Sequence, residues 1–262
     1  KTLVQPFILR RRKSQVLKDL PAKTEIIYNV EMPDDERAFY EATRRNALQK
    51  LESGLEEQKA GTQHLMILAE ITRMRRACCH PSLVDPKTTL PGAKLEAFKE
   101  IMHDLRANGH RALVFSQFVG YLKIVENWIQ KEAIPYQYLD GSTPLKKREI
   151  AVNNFQKGEG DLFLISLKAG GVGLNLTAAD YVIILDPWWN PAVEDQAADR
   201  AHRIGQQKPV TVYRLVIENT IEEKIVELHS QKRDLADSLL QGTESSTKVT
   251  AKDLLKILKN ER

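Results

Sequence analysis

From about Lys94 onward the chain alternates short apolar runs with amphipathic stretches, and this alternation dictates the class of fold. Ala112–Phe115, Tyr136–Leu139, Leu162–Leu167, Tyr181–Leu185 and Val210–Val216 read as strands. Leu95–Arg106, Val119–Glu132 and Pro144–Phe155 read as helices, the last opened by Ser142–Thr143 and Pro144. Short strands separated by helices imply an α/β fold: a parallel sheet with helices on both faces.

The rest of the chain surrounds this lobe, which spans residues 85–219 and begins with the proline-containing linker Asp85–Gly92. Residues 1–33 read as a connector with a basic run, Pro21, the extended stretch Glu25–Val30 and Pro33. Residues 34–84 read as a helical protrusion started by Asp34–Asp35. Leu65, Leu68, Ile71 and Met74 recur at helical spacing, and Gly54 and Gly61 interrupt the run, so a helical hairpin is expected. Residues 220–262 read as a helical brace, with Thr220–Glu223 as a capping box.

Composition narrows the function classes. At 262 residues, 42% hydrophobic and 28% charged, the chain can bury a sizeable core. No run approaches the ~20 apolar residues of a membrane span, and the start carries no signal-peptide pattern. The chain begins without Met and is expected to be a piece of a longer one. The net charge of +4 identifies no partner by itself. Basic clusters at Arg10–Lys13, at Arg73, Arg75 and Arg76, and at Lys146–Arg148 suit phosphate contact and equally suit a solvated face. Cys78 and Cys79 stand beside His80, but tetrahedral zinc takes ligands from two spaced pairs, so no metal site is expected. The cysteines read as buried small residues ending a helix before Pro81, and suit a reducing compartment.

The segment Asp195–Gln207 places Arg200 and Arg203 three apart behind Gln196, in a run that reads as a helix. Two guanidiniums on one helix face can reach one polyphosphate. Asp195, Asp199 and Arg203, spaced four apart, equally suit a solvated ion-pair ladder. Strand Leu162–Leu167 runs into a glycine-rich loop with Gly170, Gly171 and Gly173, whose backbone N–H groups can approach an anion. That loop is neither a dinucleotide fingerprint nor a P-loop, and Gly-Lys-Ser/Thr occurs nowhere in the chain. The polar strand ends Ser116, Gln117, Ser142, Thr143, Ser166 and Lys168 fall on one rim of such a sheet, where ligands collect. Asn190–Pro191 is a helix start. Of Trp188 and Trp189, one is expected to pack inward and the other to be free to meet a ligand.

Together, ALVFSQF, YLDGSTP, KAGGVGLNL, DPWWNP and QAADRAHRIGQ, in that order, resemble the second RecA-like lobe of Swi/Snf-type ATPases, helicase-like DNA translocases of superfamily two. PFILRRRKSQVLKDLPAKTE resembles that family's connector between lobes, and MRRACCHPSLV the helix ending its protrusion. The resemblance covers nearly the whole chain. It implies that Gln196, Arg200 and Arg203 act on ATP held with Mg2+ mainly by an N-terminal RecA-like lobe, with Gly171 and Gly173 bordering the same cleft. It implies DNA-facing roles for Ser116, Gln117, Gly141, Ser142, Thr143, Ser166, Lys168, Trp188 and Trp189. Leu167 stands where the family commonly carries Thr. The implied partners are duplex DNA, the first lobe and a DNA-bound protein complex, with no membrane. The implied setting is the cytoplasm of a prokaryote or the nucleus of a eukaryote. A strand-separating helicase lobe, a non-catalytic interaction scaffold and a Rossmann-type dinucleotide enzyme are the competing readings; the intact arginine pair opposes the scaffold, and the absent fingerprint opposes the dinucleotide enzyme.

Overall fold

A computed structural model describes residues 20–55, 60–169, 173–229, 255 and 258. Its centre is a six-stranded, wholly parallel sheet. The strands are β1 (Lys23–Val30), β2 (Ala112–Ser116), β3 (Tyr136–Leu139), β4 (Leu162–Ser166), β5 (Tyr181–Ile184) and β6 (Val210–Ile217). Their order is β1-β6-β5-β2-β4-β3. The stretch Glu25–Val30 is part of β1, an edge strand in register with β6 along its whole length. Its exposed Ile26 and Ile27 lack the burial pattern of the central strands.

The helices of the lobe are α3 (Ala93–Ala107), α4 (Val119–Lys131), α5 (Leu145–Gln156) and α6 (Pro191–Ala198). Side-chain alternation along the central strands feeds two cores. Val114, Leu162 and Leu164 join Phe98, Met102, Leu122 and Val125 of α3 and α4 on one face. Leu113, Phe115, Phe163 and Ile165 join Phe155 of α5 and Ala197 and Ala198 of α6 on the other. Both faces are thus covered, as a parallel sheet requires.

The expected hairpin is present as α1 (Asp34–Leu55) and α2 (Ala60–Cys79). It has its own core of Tyr40, Leu51, Ile67, Ile71 and Met74, joined by Ile217, Ile221 and Ile225. Cys78 and Cys79 are buried and free, and burial raises both thiols well above their ordinary range. His80 caps the following turn, its Nδ1 accepting the Ser82 N–H at 3.2 Å. Residues 221–229 are helical. The capping pattern differs from the expected one. Thr220 Oγ1 accepts the Glu222 N–H at 3.2 Å, and Glu222, not Glu223, reaches back, to the Ile217 N–H at 3.0 Å. The basic run Arg10–Lys13 lies outside the described residues, as does all of the brace beyond 229 except residues 255 and 258.

Candidate functional site

Asn190 caps α6 through its side chain, and Pro191 takes the first helical position, as their spacing predicts. The helix stops at Ala198, however, so Arg200 and Arg203 do not share a helical face. They lie in a run of turns that leads to the amino end of β6. The four-residue ladder Asp195–Asp199–Arg203 is therefore not formed as a helical stripe either. The alanine-rich segment satisfies helical spacing on paper, but the helix gives way to turns at Asp199, and Gly205, at φ +102, turns the chain again before β6.

The turns still bring the predicted residues together. Gly173, Leu174, Gln196, Asp199, Arg200 and Arg203 line one open cleft of about 250 Å³. Gly173 has φ +42 with open space where a side chain would begin, so backbone forms the cleft wall there. Gly171, expected beside it, lies outside the described residues.

Arg200 is only 6% exposed, yet its Nε and Nη1 have no hydrogen-bond partner among the described residues. Burial, and then the neighbouring Arg203 charge, pull its guanidinium below the ordinary arginine value. Arg203 and Gln196 are exposed at the cleft. A buried donor left unpaired is costly, and two adjacent like charges add to the cost. An anion with several acceptor oxygens relieves both.

A second group gathers at the carboxyl edge of the sheet. Gly141 and Ser142 after β3, and Lys168 after β4, are exposed. Asp140 organises the first of these loops. It accepts the Ser142 N–H at 2.8 Å and the Ser142 hydroxyl at 2.6 Å, while its own N–H donates to Thr143 Oγ1 at 3.0 Å. Burial works against its charge, but these bonds and the Tyr138 hydroxyl hold its carboxyl below the usual value. Turn chemistry thus accounts for much of Ser142–Thr143.

Ser116 and Ser166 correct the sequence expectation. Both are buried, and their hydroxyls are engaged internally, Ser116 with Asp186 and Ser166 with the Ala169 N–H at 3.3 Å. Both stand at the carboxyl ends of their strands, but neither hydroxyl is open to solvent there. Gln117 is half-buried, and its Oε1 accepts from Arg75 at 2.6 Å. Trp188 and Trp189 are both half-buried, Trp188 against the core under α6 and Trp189 against the protrusion core.

Sequence reasoning missed what supports these residues. Arg75 belongs to a basic cluster read as a possible phosphate contact, yet it is 1% exposed. Its guanidinium also donates to the Pro187 carbonyl at 2.7 Å, lies 3.6 Å from Asp186, and sits 5.2 Å from both the Phe118 and Trp188 ring centres. Glu194, buried on α6, accepts the Trp188 N–H at 2.7 Å and Arg214 Nε at 2.5 Å. The one available signal was helical spacing, which sets Arg75 beside Ile71, Cys78 and Cys79 and Glu194 beside Pro191, Ala197 and Ala198. Among the described residues no cluster of His, Cys, Asp or Glu forms a metal site, and no helix is long and apolar enough to cross a membrane.

Residues 1–83 match the family model of the SNF2-related domain, and residues 93–205 that of the helicase conserved C-terminal domain. An uncharacterized ATP-dependent helicase of Mycoplasma pneumoniae is 37% identical over 96% of this chain and 24% of its own length. The mouse SWI/SNF-related matrix-associated actin-dependent regulator of chromatin subfamily A member 1 is 36% identical over 98% of this chain and 26% of its own length. The SWI2/SNF2 ATPase core of Sulfolobus solfataricus in complex with double-stranded DNA superposes with a TM-score of 0.71 at 30% identity, covering 98% of this chain and 53% of that one. The chain therefore spans about a quarter of the length of these two curated relatives. With both family models, these relatives and the parallel RecA-like sheet in agreement, the chain belongs to the Swi/Snf-type ATPase family and carries its C-terminal helicase lobe.

Proposed function

We propose that this chain is the C-terminal motor lobe of an ATP-dependent translocase or remodeller acting on double-stranded DNA. In this reading an N-terminal RecA-like lobe holds most of the ATP and its Mg2+, and lobe closure brings the γ-phosphate against Arg200 and Arg203. The observation that carries it is the buried Arg200 guanidinium, unpartnered at Nε and Nη1 among the described residues, beside Arg203 in an open cleft. The guanidinium fork suits the equatorial phosphate oxygens of the transition state, where such arginines supply roughly 10³–10⁵ in rate. Gln196 lies on the same cleft and is suited to orient the γ-phosphate or the attacking water. Translocation fits a rim that meets the DNA backbone, with little sequence preference.

The test uses the intact protein. Arg203→Ala should lower DNA-stimulated ATP turnover by about 10³-fold while largely sparing ATP binding. Loss of binding in proportion to turnover would make the arginine structural and sink this reading. The chain alone, with no P-loop, should hydrolyse no ATP with or without DNA; DNA-stimulated turnover by it would contradict the two-lobe assignment.

A further inference from the structure

We propose that Gln206 is a positioning residue for the two arginines, an inference that rests on the arginine reading above. Between the end of α6 at Ala198 and the start of β6 at Val210, no helix or strand ladder holds the chain. Isolated turn bonds do so instead, such as the Arg200 N–H to the Ala197 carbonyl at 3.2 Å and the Arg203 N–H to that of Ala201 at 3.2 Å. Turns of this kind set a guanidinium loosely unless something braces them.

The Gln206 side chain is that brace. It is 8% exposed and uses both ends of its amide. The two N–H bonds of Nε2 are shared among the carbonyls of Ala201 at 3.1 Å, Ala179 at 2.8 Å and Thr177 at 3.2 Å. Oε1 accepts the N–H groups of Gln207 and Lys208, both at 2.9 Å. Its own N–H donates to the Arg203 carbonyl at 3.0 Å. Ala201 lies between the two arginines in sequence. Thr177 and Ala179 belong to the loop in which Gly173–Leu174 forms another wall of the cleft. The Leu176 N–H joins the same loop to the Arg200 carbonyl at 3.0 Å. Gly205, at φ +102, turns the chain so that Gln206 points inward. One amide thus fixes the arginine turn against the wall that the arginines face.

The mechanism is geometric. A displacement of 1 Å imposed from outside the reacting groups costs about 10²-fold in rate. In the intact protein, Gln206→Met should lower kcat for DNA-stimulated ATP hydrolysis by about 10²-fold, with KM for ATP and DNA affinity unchanged. Arg203→Lys keeps the charge but not the fork, and leaves enough turnover to measure coupling. Adding Gln206→Met to Arg203→Lys should lower kcat by much less than it does alone. A general folding defect gives the opposite pattern, equal losses in both backgrounds and a raised KM, and would overturn the proposal. If Gln206→Met does not fold, Gly205→Ala strains the same turn with the amide in place and is read by the same coupling. Wild-type kcat in Gln206→Met, with Arg203→Ala inactive, overturns this inference alone. Wild-type kcat in Arg203→Ala overturns the arginine reading beneath it.

Discussion

At the scale of single residues, Asp186 decides how the carboxyl rim is held. It has no exposed surface, accepts the Ser116 hydroxyl, and accepts the Gln117 N–H at 3.2 Å to either oxygen. Burial pushes its carboxyl up to about 6, against the pull of the Arg75 charge and the Ser116 bond. Burial wins because a buried charge loses its hydration from every side, whereas Arg75 divides its guanidinium among Gln117, Pro187 and Asp186. The folded state therefore binds this proton more tightly than the unfolded chain does. The resulting stability is fully present below about pH 4 and is lost as pH rises through about 6. The tighter proton binding corresponds to ~3 kcal/mol. Asp186→Asn cannot ionise, so the change in urea midpoint between pH 4.5 and pH 7 should shift in favour of the higher pH relative to the parent. An unchanged pH profile would show that Asp186 is ionised throughout.

At the scale of elements, a buried ion pair joins parts of the chain far apart in sequence. Lys94, at the start of α3, donates to both oxygens of Glu222 at 2.5 and 2.6 Å, and neither side chain is exposed. Glu222 also takes the last N–H of β6, at Ile217, so the pair ties α3 to the junction of sheet and following helix. Lys94→Met leaves an uncompensated buried carboxylate and should destabilise the fold by about 3–5 kcal/mol. Adding Glu222→Gln removes that charge while keeping an acceptor for Ile217, and should restore most of the loss. Thermal or urea unfolding of the single and double variants checks this; equal destabilisation in both would locate the cost elsewhere. This pair was invisible in sequence because its members are 128 residues apart and each has a plausible solvated role. The central strands were legible for the converse reason: β2 and β4, buried on both faces, read as continuous apolar runs. Glu25–Val30 reads as extended, but its place in the sheet was hidden by its edge position, where KTEIIYNV shows mixed exposure and resembles a connector. The arginine turn was misread as helix because local spacing was satisfied, while its true restraints come from the loop at 173–180 through Gln206.

At the scale of the whole molecule, the lobe presents two chemically different regions. The arginine cleft is formed by turns leading to the amino end of β6 together with Gly173–Leu174 further along the loop to β5, whereas Gly141, Ser142 and Lys168 directly follow the carboxyl ends of β3 and β4. Arg148 draws the latter two loops together, donating to the Ala169 carbonyl at 3.1 Å and the Asp140 carbonyl at 3.5 Å. That use removes Arg148 from the basic cluster and leaves Lys146 and Lys147 of that cluster, with Lys168 of the neighbouring loop, as the exposed charges. If these lysines meet phosphates, each should release counterions on binding duplex DNA, contributing about 0.9 to the slope of log affinity against log salt. Replacing all three with Ala should flatten that slope by about 3 and weaken binding alike on unrelated sequences. Arg203→Ala, on the other region, should leave the slope intact while lowering turnover by about 10³-fold. A slope unchanged by the lysine replacements, or lowered by Arg203→Ala, would mean that DNA is held by the cleft rather than the rim, and would reverse the division of labour proposed for the lobe.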